Sequence, residues 1–594
     1  MVLDGLRHRC IMPAMNTPSG ITRRRLVGQG MARAAATPDA VPFLADEFAM
    51  VGVFGLDWLL DPRFTRLLDT LAASPGGVRA VRVFGALSLG RDTVAPLHSA
   101  GVWDGAGPPD FSRTLQALET LTSRGLTPFL PLSFFPPRLS PAPAQPPAAW
   151  DGWTSLVRAF LDAIVSRFGA SEVARWWFEV WNEPNMPPFW TGSFDQYLEL
   201  YRITSDAVAA SGHPVRLGGP VLAYVPGEGP ALMERFLAFL AASPAVRCDF
   251  VSLHRKGSWS NEEGEPDLDR LVRAADDTAQ AILRLTPGRA RGMTVVNDEA
   301  DMMVGFDRPY APRMTSQSAA WLAASMAAHD GLSVAYAGHG IRFRAASDNA
   351  NQHLTRGPFD GRRTLMTPLA DDPADLVKLP VFGFYELLRL MGRRRLPSEA
   401  PAGVAHLATM GEAGMAALFS RYGPDGRSFT CRLDALPWRR VNVVQFCIDA
   451  GHTGARPGLA APTMRRAAEL AVVEPVRRDR APAAQTIALA PFGTVLLWVS
   501  PFQARAPAPP HWIEARRDGA TVRLRWTPST DPVFYSYEVL RDGTLISPAP
   551  LRSAMWVDDA PGDPAFLVVR RRYAVRTVSA SGVGSGWAMM EAAP

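Results

Sequence analysis

Arg175-Trp176-Trp177-Phe178-Glu179-Val180-Trp181-Asn182-Glu183-Pro184 is an apolar run that breaks into a polar turn. Its length and its aromatic and β-branched content predict a buried strand, and Asn-Glu-Pro predicts the loop that follows. The same transition recurs where Thr294-Val295-Val296-Asn297 runs into Asp298-Glu299-Ala300-Asp301. Two strands therefore each deliver a glutamate, Glu183 and Glu299, to their carboxyl ends. In a parallel α/β barrel the reacting groups gather on the loops at that face.

Outward from these two runs, further short apolar stretches predict strands over residues 49–54, 80–86, 127–133, 215–219, 249–254 and 341–345, making eight with 175–181 and 294–297. Between them, residues 153–168, 194–210, 231–242, 266–285 and 316–329 carry apolar side chains at three-to-four spacing and predict helices. This alternation over residues 45–395 predicts an α/β fold, a (β/α)8 TIM barrel. The competing doubly wound sheet wants a glycine-rich phosphate turn after its first strand, and Val53-Phe54-Gly55-Leu56-Asp57-Trp58 does not supply one.

Past residue 400 the period changes to that of strands: 403–410, 415–422, 440–448 and 486–500 predict a β-sandwich spanning 396–502. A proline-rich linker, Gln503-Ala504-Arg505-Ala506-Pro507-Ala508-Pro509-Pro510, opens the last segment, 503–594. Its alternating strands at 522–526, 535–541 and 566–578 resemble a fibronectin type III module, read as a spacer or stabilising cap. Residues 1–44 are polar and rich in Ala and Arg, and read as an extension, disordered in part. Thr22-Arg23-Arg24-Arg25-Leu26 has a twin-arginine look. The segment after it carries two glycines and another arginine, a poor hydrophobic region, so a cytoplasmic location is expected over export.

At 594 residues the chain is too long for one core, and with 47% hydrophobic and 20% charged residues it has ordinary globular composition. No apolar run reaches the roughly 20 residues that span a bilayer. The net charge of +5 comes with no Lys/Arg block resembling a nucleic-acid arm, so neither membrane nor nucleic acid is an expected partner. Cys10, Cys248, Cys431 and Cys447 show no metal spacing or disulfide framework. No His-Glu-X-X-His, phosphate loop or Cys-X-X-Cys occurs, and neither cofactor nor metal is expected. Of the 62 basic residues only Lys256 and Lys378 are lysines, which makes Lys256, in a candidate loop, informative.

Two carboxylates at one barrel mouth suit cleavage of a glycosidic bond: one protonates the leaving oxygen and the other supports the opposite face of the sugar. Isolated exposed loop acids are the alternative. They leave unexplained the Asn182 before Glu183, the Pro184 after it and the aromatics Trp177, Trp181, Phe189 and Trp190 around it. A sugar site accounts for these, because aromatic faces stack on pyranose rings and Asn182 can hold a ring hydroxyl. Asp298, Glu299 and Asp301 would repel one another without a nearby cation, and Arg82, at the end of the second strand, is the candidate. His254, ending the sixth strand, bonds either a substrate or a loop carbonyl.

On these residues the chain resembles glycoside hydrolase family 39. The resemblance rests on Phe178-Glu179-Val180-Trp181-Asn182-Glu183-Pro184, Ser252-Leu253-His254-Arg255-Lys256-Gly257, and Asn297-Asp298-Glu299-Ala300-Asp301 followed by Val304-Gly305. Asp348-Asn349-Ala350 and Pro358-Phe359 with Arg363-Thr364-Leu365 extend it, so that it covers most of residues 45–395. The closest likeness is to the members that release a terminal iduronic acid; the xylosidases are the other specialty. The resemblance implies a retaining glycosidase with Glu183 as general acid/base and Glu299 as nucleophile, their carboxyls roughly 5–5.5 Å apart. It further implies sugar recognition by Lys256, Asp348, Arg363 and the backbone around Gly305, with Lys256 and Arg363 near a uronate carboxylate. In one departure, Phe84 stands where the family usually has a histidine two residues after the strand-two arginine. The proline-rich stretch 131–149 is another. A β-xylosidase-like enzyme and a non-catalytic carbohydrate-binding protein on the same fold are the alternatives.

Overall fold

The computed structural model describes residues 31–35, 41–53, 55–74, 77–88, 102–259, 265–305, 309–347, 357–370, 375–434, 436–480, 482–518, 521–559 and 570–592. Eight parallel strands follow one another in sequence order: β1 (Met50–Val53), β2 (Ala80–Val83), β3 (Thr127–Leu132), β4 (Trp177–Val180), β5 (Arg216–Ala223), β6 (Phe250–His254), β7 (Thr294–Asn297) and β8 (Arg342–Ala345). Each pairs with the next, and a parallel bridge between Val51 and Ser347 joins the first to the last. All eight lie on stretches read as strands from sequence. β5 runs on to Ala223 rather than stopping at 219, across a register shift between Pro220 and Leu222.

The connecting helices are α1 (Pro62–Ala73), α2 (Ser112–Thr122), α3 (Asp151–Phe168), α4 (Phe194–Ser211), α5 (Glu228–Ala242), α6 (Leu268–Leu285), α7 (Ser316–Ala335) and α8 (Pro380–Leu388). Their starts are written locally. The Asp61 carboxylate accepts the Arg63 amide just ahead of Pro62, and Ser193 and Gln196 cap α4 reciprocally. On α6, Leu271, Ala274, Ala275, Thr278, Ala279 and Ile282 form the buried stripe. α7 is buried on most of its faces, because the barrel lies on one side and the sandwich on the other.

Because inward side chains alternate along each strand, the barrel interior is layered. The layer nearest the strand starts holds Trp177 and Arg344. Met50, Ala80, Phe129, Phe250, Val296 and Ala346 form an apolar middle. Near the strand ends come Arg82, Glu179, Ser252, His254 and Asp298, all buried. Gly218 makes this filling possible: a Cβ there would meet the Phe250 ring at 2.5 Å.

The sandwich has one sheet centred on Gly414–Ser420, Thr494–Pro501 and Arg440–Ile448, and a second of Ser398–Glu399, Met31–Ala35, Arg427–Asp434 and Ala484–Leu489. Met31–Ala35, read from sequence as part of an extension, is thus a strand. It runs parallel to Arg427–Asp434 and antiparallel to Ser398–Glu399. The C-terminal segment forms a three-stranded sheet (Trp512–Asp518, Thr521–Trp526, Met555–Asp559) and a four-stranded one (Thr544–Leu545, Phe534–Arg541, Arg571–Ser579, Ala588–Ala592). It packs on both neighbours. Ala554 N donates to Ala73 O (2.8 Å) on the barrel, and Asn442 Nδ2 on the sandwich donates to Ser581 Oγ (3.2 Å). Cys248, Cys431 and Cys447 are buried thiols outside any disulfide. No helix among the described residues is long and apolar enough to cross a membrane.

Candidate active site

The chain leaves β4 through a strained turn. Trp181 and Glu183 have φ of 75° and 45°, the left-handed region that L residues enter at a cost of about 1 kcal/mol or more each. Surrounding bonds hold them there. Glu183 N donates to Val221 O (2.9 Å), and the Tyr197 hydroxyl bonds both Val180 O and Pro220 O at 3.1 Å, tying the ends of β4 and β5 together. The loops after β6 and β7 brace each other. Gly257 N donates to Asp301 O (3.0 Å) and Val304 N to Ser258 O (3.0 Å).

These turns converge on one buried charge network. Arg82 Nε donates to Glu179 Oε2 (2.9 Å) and pairs with Asp298 Oδ2 (2.5 Å). Its Nη1 reaches Glu299 Oε1 (3.3 Å) and its Nη2 donates to Asn182 Oδ1 (3.0 Å). The His254 ring stands between acids, with Nδ1 2.8 Å from Glu183 Oε1 and 3.5 Å from Glu299 Oε1, and Nε2 3.4 Å from Asp298 Oδ1. Lys256 Nζ donates to Glu299 Oε2 (2.5 Å). One carboxylate oxygen of Glu183 and one of Glu299 lie within 4.8 Å of each other. Asp301 takes no part, being held by Arg313 Nη2 (2.9 Å) and paired with Arg363 Nε (3.5 Å).

The network assigns its protons unevenly. Burial alone would raise the Glu299 carboxyl, but the charges of His254, Lys256, Arg82 and Arg363 outweigh it and hold Glu299 well below the usual carboxylate range. Burial would likewise lower His254. The charges of Glu299 and Asp298, with the hydrogen bond to Glu183, push it instead up to about 10, so the ring is an imidazolium whose Nδ1 donates to Glu183 while Nε2 faces Asp298. For Glu179 burial wins, reinforced by the Asp298 charge, and its carboxyl rises to about 8. At neutral pH the site thus holds an ionised Glu299 and a cationic His254, with Glu179 binding its proton more tightly than an ordinary carboxyl does.

Comparison with known proteins bears on the same residues. The sequence profile of glycosyl hydrolases family 39 matches residues 71–417, more than half of the chain and every acid of the network. The chain belongs to glycosyl hydrolases family 39. It is 31% identical over 148 residues to a β-xylosidase of Caldicellulosiruptor saccharolyticus, covering 23% of this chain and 29% of that protein. It is 29% identical over 265 residues to the α-L-iduronidase of Canis lupus familiaris, covering 42% of this chain and 39% of that protein. The chain thus spans well under half the length of these two relatives. A bacterial orthologue of human α-L-iduronidase shares the fold over 95% of this chain and 100% of its own, with a TM-score of 0.76 at 22% identity. That likeness speaks to the fold, including its sandwich and C-terminal sheets.

Against this family frame, the expected residues divide. Glu183, Glu299, Asn182, Arg82, His254 and Lys256 meet in one cluster, and Gly305 (φ 84°) follows directly on the Val304–Ser258 bond beside it. Arg82 is the cation expected for the acids, although it serves Asp298 and Glu299 and not Asp301. Asp348 falls outside the described residues. Three expectations need correction. His254 is fully buried, its Nδ1 bonded to Glu183 and its Nε2 facing Asp298, so its ring holds acids and not a loop carbonyl. Trp181 is also fully buried, packed on Phe135 at 4.5 Å with its indole N–H donated to Phe189 O (2.7 Å). It shapes the loop from beneath and offers no face to a sugar. Trp177 lies at the opposite end of the barrel, against Phe129 and Phe250. Asn182 lends its oxygen to Arg82, an obligate donor, so the amide NH2 is what it can offer a ligand. Phe84 stacks under the Arg82 guanidinium at 4.6 Å, capping the network with a ring where a histidine would add a polar group.

Glu179 and Asp298 were not read as site residues from sequence. A glutamate inside an otherwise apolar strand was the available signal, since a buried acid of that kind needs a partner.

Proposed function

We propose that this protein is a retaining exo-glycosidase that removes a terminal sugar by double displacement. Glu299 is the nucleophile. Its carboxylate attacks the anomeric carbon as the glycosidic bond breaks, and Glu183 gives its proton to the leaving oxygen. Water then attacks the glycosyl ester, Glu183 takes the water's proton, and Glu299 is released. The observation that carries this reading is a Glu299 carboxylate bonded by Lys256 (2.5 Å) and flanked by Arg82 (3.3 Å) and His254 (3.5 Å), with a Glu183 carboxylate oxygen within 4.8 Å. That spacing supports direct attack. An inverting pair would stand roughly 6.5–9.5 Å apart to admit a water.

The favoured substrate is a glycan ending in a uronic acid. Arg363 is the best-suited cation for the carboxylate, because guanidinium pairs with it bidentately. Lys256, expected to share this task, already donates to Glu299, and Arg363 pairs with Asp301. That prior engagement favours the β-xylosidase-like reading as the second candidate, since a xyloside has no carboxylate at C5 to bind. The three- and four-stranded C-terminal sheets support a fibronectin type III-like module, whose contacts with barrel and sandwich suit a clamp.

A panel of nitrophenyl glycosides tests both levels. Turnover of an iduronide or glucuronide is expected; hydrolysis of xyloside alone would overturn the uronic-acid reading. Glu299→Gln should lose about 10³-fold or more in kcat on every substrate while keeping its fold. Glu183→Gln should be spared on aryl leaving groups acidic enough to depart without a proton. If the wild type binds sugars but hydrolyses none, the protein is a carbohydrate-binding one.

A further inference from the structure

The barrel has a second mouth, at the amino ends of its strands, and its chemistry is unlike that of the first. A cavity of about 1110 Å³ opens there, lined by arginines that include Arg79, Arg216, Arg247, Arg344 and Arg393, with Trp177 among them. Some of this charge is balanced locally: Arg79 pairs with Asp46 (3.6 Å) and Arg247 with Asp249 (2.7 Å). Arg344 and Arg216 differ. Among the described residues neither makes an ion pair. Their guanidiniums sit over the same Trp177 ring, at 4.9 and 5.3 Å.

Arg344 is the anomaly. It projects inward from β8, is only 5% exposed, and its Nε has no hydrogen-bond partner. A buried guanidinium N–H without an acceptor is costly, and contact with one ring face recovers only part of what water gave it. Burial, with the like charge of Arg216 adding to it, lowers Arg344 to about 10 despite Glu47, Asp46 and Asp298, which leaves it charged at neutral pH. Glu47 and Asp46 offset only part of the cost, for Glu47 is committed to Arg342 (2.6 Å) and Asp46 to Arg79.

We propose that this mouth is a binding site for a multivalent oxyanion, a sulfate or phosphate group, held between Arg344 and Arg216. Both side chains offer planar donor forks, which match a tetrahedral oxyanion with several equivalent acceptors. Trp177 gives its ring to the two guanidiniums and so orients them; this disfavours a flat ligand that would need the ring itself. The Phe129–Phe250 layer separates this site from the acids at the other mouth. The anion is therefore not the sugar undergoing cleavage, and the proposal stands whatever the substrate proves to be. The group could belong to a free inorganic anion or to an ester on a glycan chain.

Isothermal titration of the full chain, at constant ionic strength, distinguishes these sources. Sodium sulfate, sodium phosphate and a sulfated disaccharide are the probes, with sodium chloride as control. Saturable binding of either inorganic anion identifies a free-anion site; saturable binding of the sulfated sugar alone identifies an ester site. In each case Arg216→Ala, at an exposed position, should weaken binding at least tenfold, and Arg344→Met should do the same if it folds. Absence of saturable binding by all three probes overturns the proposal. So does Arg216→Ala binding as tightly as the wild type.

Discussion

Glu179 shows how far the cost of one buried carboxyl reaches. It is fully buried, yet it shares Arg82 with Asp298 and Glu299, and its protonation decides how much of that cation the other two receive. Its carboxyl is raised in the folded protein, from 4.5 to about 8, so the fold binds its proton more tightly than the unfolded chain does. This contribution to stability is complete below about pH 4.5 and is lost as pH rises towards 8. Glu179→Gln, a neutral isostere, should flatten that decline. We expect the variant to gain on the wild type by up to about 4 kcal/mol between pH 5 and pH 8.5 in urea unfolding. A gap independent of pH would refute the assignment. The same residue explains what sequence could and could not reveal about the site. Glu183 and Glu299 stood out because each ends an apolar strand. Trp181 and Trp177 misled because closeness in sequence hid direction: four residues of strand carry the chain ~13 Å, and here they take the two indoles to different layers.

Among the elements, the strands of the barrel were the most legible. Each is a short, doubly covered apolar run, so burial on both faces is written directly into composition. Met31-Ala32-Arg33-Ala34-Ala35 has no such signature. Alanine and arginine favour helix, and only the edge offered by Arg427–Asp434, some 400 residues away, makes it a strand. Register within the barrel depends on small residues as much as large ones. Gly218 on β5 leaves the space that the Phe250 ring of β6 fills, so Gly218→Ala forces that ring aside. A loss of about 1–3 kcal/mol is expected from chemical denaturation. Adding Phe250→Leu should recover part of it in the double variant. Additive losses would mean that the two side chains do not compete for the same volume.

At the scale of the whole molecule, three parts of the chain meet at Lys378. Its ammonium donates to Glu386 (3.0 Å) beside it on the barrel, to Glu469 (2.8 Å) in a connection between sandwich strands, and to Ser553 (3.0 Å) of the C-terminal module. Burial raises Glu469 to about 7 even with the lysine charge opposing it, because the Glu386 charge also acts against ionisation. One cation serves two acids, so one acid keeps its proton. The stability this gives is full below about pH 4.5 and is lost as pH rises through 7. Glu469→Gln should therefore be less sensitive to pH than the wild type across that window, as read by unfolding midpoints. Lys378→Met, which strands two acids, should cost about 3 kcal/mol or more at pH 7. The Met31–Ala35 strand acts at this same scale, on the order of assembly. A strand lying between Ser398–Glu399 and Arg427–Asp434 cannot find its neighbours until some four hundred further residues have left the ribosome. This strand, made early, is thus among the last to dock. Until it does, the two strands flanking its slot present bare backbone to any other nascent copy.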